Sequence, residues 1–387
     1  MLPRGSARHS NEPRAPARST RREGGLWTTL VIHNPGAARS PRRRRPGIFD
    51  AMSTPSFARI PGYLFATIPA LLGFYPQDSV VLMGLEPHGS GQPAPFILGR
   101  LPEHGTYALG QVLRADASAP SGVLAQGRSL LAEAGSGAFV AFVVGTPPPE
   151  RLRAVLRDWA RGEGSPPFCW GCWHAPGIAT GERYAAVRGV PVPEPWRAGT
   201  IESVAASPTM GCLLKCGELP EINRREARAF FDPQGAPWPV DARDCLALVS
   251  EIRRRSEALA EVMAEAGALL EGEGEARHLA ILLGHHRVRD ALIPQVLDHA
   301  EGAHRTMLAV ARKTKGEVRA NALCLYALAA AQSGRRWRVP FALQAAQEEV
   351  PGHNLARLLH AMAVRCGIEA MLDAVREGAQ GADPVHY

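Results

Sequence analysis

The chain has 387 residues, with 44 Lys+Arg against 37 Asp+Glu, 13 His and 7 Cys. That length exceeds one ordinary hydrophobic core, so two domains are expected. No run approaches the 18 apolar residues of a membrane-spanning helix, which excludes a membrane protein. Seven cysteines without a secretory leader do not form a disulfide framework and imply a reducing cytoplasm.

The formal charge of +7 is unevenly placed. Residues 1–51 hold eleven Arg against three acids (Glu12, Glu23, Asp50), a net of +8, leaving 33 basic and 34 acidic groups for the other 336 residues. The run Arg42 to Arg45 lies between Pro41 and Pro46, and the segment has too few apolar side chains to offset its ordering entropy. Residues 1–56 therefore read as a disordered basic tail that packs on nothing, with Met52 as an alternative start. Nucleic acid is an expected partner only if that tail is genuine, because the body is nearly neutral.

In chain order, Gly73 to Asp78 has the Gly, Pro and Asp of a turn, and Ser79 to Leu85 is a continuous aliphatic run that predicts a buried strand. Further strands are expected at 96–101, 111–117 and 138–144, with helices at 124–133 and 150–161, the latter introduced by Pro147-Pro148-Pro149. Residues 162–200 read as irregular, with one strand at 183–190. Short helices follow at 203–216 and 223–230. This alternation predicts an α/β domain over 57–231, with a mixed, partly parallel sheet and flanking helices.

The Pro-rich linker 232–240 is the expected boundary, and the pattern after it is helical. Asp241 is a plausible N-cap for a helix reaching Gly272. Others are expected at 275–298, 303–314, 317–332, 339–349, 354–366 and 368–377. They form an all-α helical domain over 241–378, followed by a flexible C-terminus at 379–387.

The segment from Ile68 through Gly73-Phe74-Tyr75-Pro76-Gln77-Asp78-Ser79 to Leu85 resembles the opening of the actinobacterial domain of unknown function family 4192. Arg114-Ala115-Asp116, Ala206-Ser207-Pro208, Arg224-Arg225-Glu226, Arg289-Asp290 and Pro351 to Leu359 resemble its later landmarks in order, over roughly 60–370. Ala117-Ser118 replaces the Leu-Pro usual after the Arg-x-Asp strand. The resemblance implies architecture and a cytoplasmic setting and supports Met52 as the start. It assigns no activity and no cofactor.

Candidate chemistry is sparse. Cys169 and Cys172 have metal-ligand spacing, and Cys212 with Cys216 would complete a four-thiolate zinc site; a redox-active or incidental Cys169–Cys172 pair is the favoured reading. His286 and Asp290 meet at i, i+4 if the helix is continuous, on the stripe of Leu279, Leu283 and Ile293. They read as a register-fixing polar pair, or as a carboxylate-oriented base or metal ligand. Arg114 and Asp116 project from one strand face, either as an interdomain ion pair or as an anionic-ligand site. Phosphate-loop, dinucleotide, nucleophile-elbow and zincin signatures are missing. The expectation is a non-catalytic protein that binds a protein or small-molecule ligand. The alternative is a hydrolase or transferase whose site uses some of Arg114, Asp116, His286, Arg289 and Asp290 between the domains.

Overall fold

The structure, a computed structural model, describes residues 28–31, 59–87, 97–101, 105–162, 166–238, 240, 247 and 276–381. Among these, β1 (Thr28–Val31), β2 (Ser79–Pro87), β3 (Ile97–Leu101), β4 (Gly105–Asp116), β5 (Ala138–Val144), β6 (Phe168–Ala175), β7 (Arg183–Ala186) and β8 (Ala198–Thr200) form one sheet. Its order is β1-β4-β2-β5-β6-β7-β8, with β3 also pairing β4. The β5–β6 pair is parallel and the other pairs are antiparallel. Helices α1 (Ile60–Leu72), α2 (Ser121–Glu133) and α3 (Glu150–Ala160) flank the sheet, α3 serving as the crossover that a parallel pair requires. After α4 (Pro208–Lys215) and α5 (Arg224–Ala229), the described chain is helical: α6 (Ala276–Leu282), α7 (His286–Ala291), α8 (Ile293–Asp298), α9 (Ala300–Lys313), α10 (Gly316–Gln332), α11 (Val339–Glu349), α12 (Asn354–Arg365) and α13 (Ile368–Gly381). A mixed, partly parallel α/β sheet followed by a helical region is the fold class that the sequence predicts.

Strand periodicity sets the layers. Along β5, Ala138, Val140, Phe142 and Val144 join the apolar cluster that contains α1 and the C-terminal helices, whereas Phe139, Ala141 and Val143 join the cluster under α2 and α3. Both faces are covered, which is why this strand reads as an unbroken apolar run. The first cluster takes Val81 and Trp173 from the sheet together with Leu323, Phe341 and Leu359 from the helices. That cluster draws on both the sheet and the C-terminal helices. Buried Gln111 of β4 adds a polar tie, its Nε2 donating to the Val364 carbonyl of α12 at 2.6 Å. The linker packs as well: the Gln234 and Trp238 N–H groups donate to the carbonyls of Arg312 and Lys313 at the end of α9.

Three elements differ from expectation. No element is expected over residues 60–72, yet α1 spans them with Pro69 in its interior. Interior proline costs roughly 3 kcal/mol, but burial of Leu64, Phe65, Ile68, Leu71 and Leu72 returns about 1.5–3 kcal/mol each, so tertiary packing wins. Strand β6 lies inside the stretch read as irregular. Strand β1 lies inside the basic tail, where Thr28-Thr29-Leu30-Val31 is a β-branched and aliphatic run that pairs with the open edge of β4. The rest of the tail, and the helix expected from Asp241 to Gly272 apart from residue 247, lie outside the described residues.

The two halves are clamped by charge. Arg338, 4% exposed, donates to Glu218 at 2.9 Å and Glu221 at 3.1 Å, and its guanidinium lies 3.7 Å from the Phe230 ring centroid. Arg335 joins Glu218 at 3.4 Å to Glu301 at 3.1 Å, and Trp337 Nε1 donates to Glu218 at 3.1 Å. Gly73 closes the other side: it has φ +76°, and a Cβ there would sit 2.7 Å from the Trp337 ring. Glu218→Ala removes an acceptor shared by three buried donors and should lower the unfolding free energy in urea by about 3 kcal/mol. Glu348→Ala, from the exposed pair with Arg228, should change it by about 0.5 kcal/mol. Equal losses in the two variants would show that the clamp does not hold the halves together.

Candidate functional site

The turn before β2 organises one end of the sheet. Asp78 adopts φ +41°, a left-handed conformation that Asp tolerates better than most residues. There its carboxylate accepts hydrogen bonds from the Thr146 N–H at 3.0 Å and hydroxyl at 2.9 Å, and its carbonyl accepts from the Ala117 N–H at 2.8 Å. The ends of β2, β4 and β5 are thereby tied together. The two bonds from Thr146 hold the Asp78 carboxyl below the usual carboxylate range. Gly145 has φ +111°, and a Cβ on it would come within 2.6 Å of the Asp78 N and Oδ1, so the junction requires glycine.

Next to this junction, buried Ser79 donates to the Gln77 carbonyl at 2.7 Å and accepts from Arg114 Nε at 2.9 Å. Arg114 is 4% exposed and pairs with Asp116 at 2.5 Å, with the Asp116 side chain 42% exposed. Segment 221–225 is brought alongside by a short parallel bridge. The Tyr75 N–H donates to the Glu221 carbonyl at 3.0 Å, and the Glu221 N–H donates to the Gly73 carbonyl at 2.9 Å. Between these segments lies a cleft of about 320 Å³ lined by Phe74, Gln77, Arg114, Asn223, Arg224 and Arg225. The described lining holds three arginines and two amide side chains and no acid. Of the residues singled out by chemistry, Arg114 lines it. Arg224 and Arg225 stood out only as a family landmark, because adjacent arginines on a short helix carry no periodic signal.

The second predicted group sits elsewhere. The stripe from Leu279 to Asp290 assumes an unbroken helix, but α6 ends at Leu282 and α7 restarts at His286 after Gly284. The restart shifts the helical phase. His286 is exposed and the Asp290 side chain is 49% exposed, so Asp290 does not turn inward. Arg289 does: its side chain is 11% exposed, pairs with Asp290 at 2.7 Å and donates to Asn321 Oδ1 at 2.8 Å. No residue of 286–290 lines the cleft.

Asn321 is a node that the sequence conceals. Its Nδ2 donates to the Leu283 carbonyl at 2.8 Å, and His353 Nε2 lies 2.9 Å from its Oδ1. Nδ1 of His353 accepts from the Ala356 N–H, capping α12, so the imidazole is neutral with its proton on Nε2. Cys324 Sγ stands 3.8 Å from the same Nδ1. Cys, His and Asn thus take positions that mimic a nucleophilic triad, but burial pushes the Cys324 thiol up to about 12, and the imidazole lone pair is already used by the cap. The node joins α6, α7, α10 and α12 and is structural.

In β6 the register slips between Phe139 and Ala141, so that Trp170 and Gly171 oppose one residue of β5. This β-bulge turns Cys169 and Cys172 to the same face, with sulfurs 3.7 Å apart, both buried, and burial raises the Cys172 thiol. Cys212 and Cys216 lie at α4, near the first apolar cluster rather than the second. Among the described residues no three His, Cys, Asp or Glu side chains converge as metal ligands, so the four-cysteine site is not assembled. No described helix is long and apolar enough to cross a membrane.

A mixed α/β sheet sharing its core with a helical region, with one polar cleft at the strand ends, defines the class. The chain belongs to the family described as Domain of unknown function (DUF4192), whose model matches residues 61–369. No curated protein and no solved structure matches the chain.

Two outcomes test the node. Asn321→Ala leaves Arg289, His353 and the Leu283 carbonyl without their shared partner and should cost about 2–3 kcal/mol, while exposed Asp290→Ala should cost under about 1 kcal/mol. Reversed magnitudes in urea unfolding would sink this assignment. Burial holds the His304, His353 and His360 imidazoles below their ordinary value of 6.5. The unfolded chain then binds more protons below that value, so stability is full above it and is lost as pH falls through it toward the folded values. Urea midpoints should fall between about pH 7 and pH 5.5, with a shallower slope in His353→Gln. An unchanged slope would remove His353 from the effect.

Proposed function

We propose that the chain is a non-catalytic ligand-binding protein of the cytoplasm, with a small molecule held in the cleft of Phe74, Gln77, Arg114, Asn223, Arg224 and Arg225. The observation that carries this reading is buried Arg114 lining a cleft with two further arginines and, among the described residues, no acid in the lining. Burial of a charge is costly unless it is paired and oriented, and Ser79 and Asp116 do both for Arg114. A site that fixes a side chain so firmly is preorganised for recognition.

The same lining speaks against the hydrolase or transferase alternative. Arginine stays protonated and accepts no proton, and among the described residues the lining holds no His, Cys, Asp or Glu to act as a general base. Asp116 is committed to Arg114. Native mass spectrometry of the whole chain, purified without denaturant, should find one bound small molecule that is returned chemically unchanged after incubation. Gln77→Trp, which fills the cleft from an exposed position, should lose it. Conversion of the bound molecule would overturn the non-catalytic reading, and its retention in Gln77→Trp would place the site elsewhere.

A further inference from the structure

We propose that Cys169 and Cys172 form a reversible oxidation site, a dithiol that hydrogen peroxide converts into a disulfide inside β6; the cleft has no part in it. Residues three apart on a regular strand point to opposite faces. Here an advance of two residues along β5, from Phe139 to Ala141, is matched by three along β6, from Cys169 to Cys172. The bulge therefore places both thiols in the second apolar cluster, with their sulfurs 3.7 Å apart. Gly171 belongs to the arrangement: a Cβ on it would collide with the Trp173 ring, and its carbonyl accepts from Cys169 Sγ at 3.5 Å. A disulfide needs the sulfurs at about 2 Å. The extra residue of a bulge lies outside the ladder pairing, so Trp170 and Gly171 can yield to that approach while the β5–β6 register holds on either side.

Burial orders the two steps. β6 starts at exposed Phe168, and Cys169 beside it is 7% exposed, whereas Cys172 is fully buried. Peroxide, little larger than water, meets Cys169 first. The Cys169 thiol gives its proton to water, and the thiolate attacks one peroxide oxygen. The O–O bond breaks, and the leaving hydroxide takes up that proton, so Cys169 becomes a sulfenic acid. The Cys172 sulfur then attacks the Cys169 sulfur, the S–O bond breaks, and the hydroxide departs as water with the Cys172 proton. Two thiols and one peroxide become one disulfide and two waters, the sulfurs oxidised and the peroxide oxygens reduced. Burial and the neighbouring thiol push the Cys172 thiol up, so it is a poor nucleophile toward solutes and serves on the one sulfur already in contact. Cys324 is the contrast. It is equally buried, with its thiol pushed up to about 12, and its neighbour is His353 Nδ1 at 3.8 Å rather than a second sulfur.

The test is treatment of the full, natively folded chain with a few equivalents of hydrogen peroxide, followed by thiol blocking and tryptic mapping. The peptide Gly162–Arg183 carries both thiols and no other cysteine, and Ala320–Arg335 carries Cys324 alone. The first should lose about 2 Da, two hydrogens, and regain them in dithiothreitol. That loss should run at least about tenfold faster than any change in the second. Cys172→Ala should abolish the loss and leave Cys169 as a sulfenic acid that dimedone captures. If that variant folds poorly, Cys169→Ala gives the complementary test, in which Cys172 alone stays unmodified. An unchanged Gly162–Arg183 peptide while exposed Cys366 is oxidised overturns the proposal. So does added oxygen that dithiothreitol does not remove, or a bond from either cysteine to a third. Equal rates for the pair and Cys324 would tie oxidation to unfolding rather than to the bulge, and would overturn it too.

Discussion

Glu218 is the acceptor on which the two halves converge. Its carboxylate takes bonds from Arg338, Arg335 and Trp337, all supplied by residues 335–338 between α10 and α11, while its own segment runs on to the Glu221 bridge with Gly73 and Tyr75. Each of these charges is costly to bury alone, and the network is tolerable only when complete. The apolar surroundings make its geometry specific: Arg338 lies over Phe230, and Trp337 lies against Gly73, where a Cβ would collide. A non-directional core permits sliding, whereas this set of directed bonds has one register.

That register also places the cleft. Segment 217–225 is fixed at one end by the Glu218 network, in its middle by the bridge to the 73–75 turn, and beyond it by the Asn223 side chain, which caps α5 by accepting from the Glu226 N–H. Arg224 and Arg225 follow directly, so the clamp sets their distance from Arg114. Arg114 is fixed independently by the strand-end junction of Asp78, Ser79 and Asp116. Two rigid supports, one belonging to the sheet and one shared with the helices, face each other across the lining. For the proposed site, preorganisation of this kind would lower the entropy cost of binding, because the lining groups are already ordered.

What was legible in the sequence follows physical lines. β5 was read to the residue because both its faces are buried and its seven apolar positions leave no other assignment. α10, α11 and α12 were read within a residue or two because Gly and Pro punctuate them. α1 is not legible locally, because tertiary burial stabilises a helix whose interior holds Pro69. β6 was missed because its bulge breaks the period of two at Trp170 and Gly171. The His286–Asp290 stripe failed at Gly284, where the helix stops and its phase resets. Of the site, Arg114 with Asp116 was legible as a strand-face pair, with an anionic ligand among its readings. The cleft was not, because 110 residues separate Arg114 from Arg224 and the bridge joining their segments is made by backbone groups, which carry no side-chain signature.

The two polar centres of the molecule are built from similar parts and reach opposite ends. At Asn321 the side chain is bonded to Arg289, His353 and the Leu283 carbonyl, and Cys324, beside His353, is fully buried. Such saturation rigidifies a core and leaves nothing to offer a ligand. At Arg114 the anchoring bonds come from Ser79 and Asp116, and the residue lines a cleft together with Arg224 and Arg225. The difference is whether the charged group borders open space after its own supports are satisfied. By that criterion the buried Cys-His-Asn arrangement is structural, and the arginine-lined cleft is the proposed ligand site.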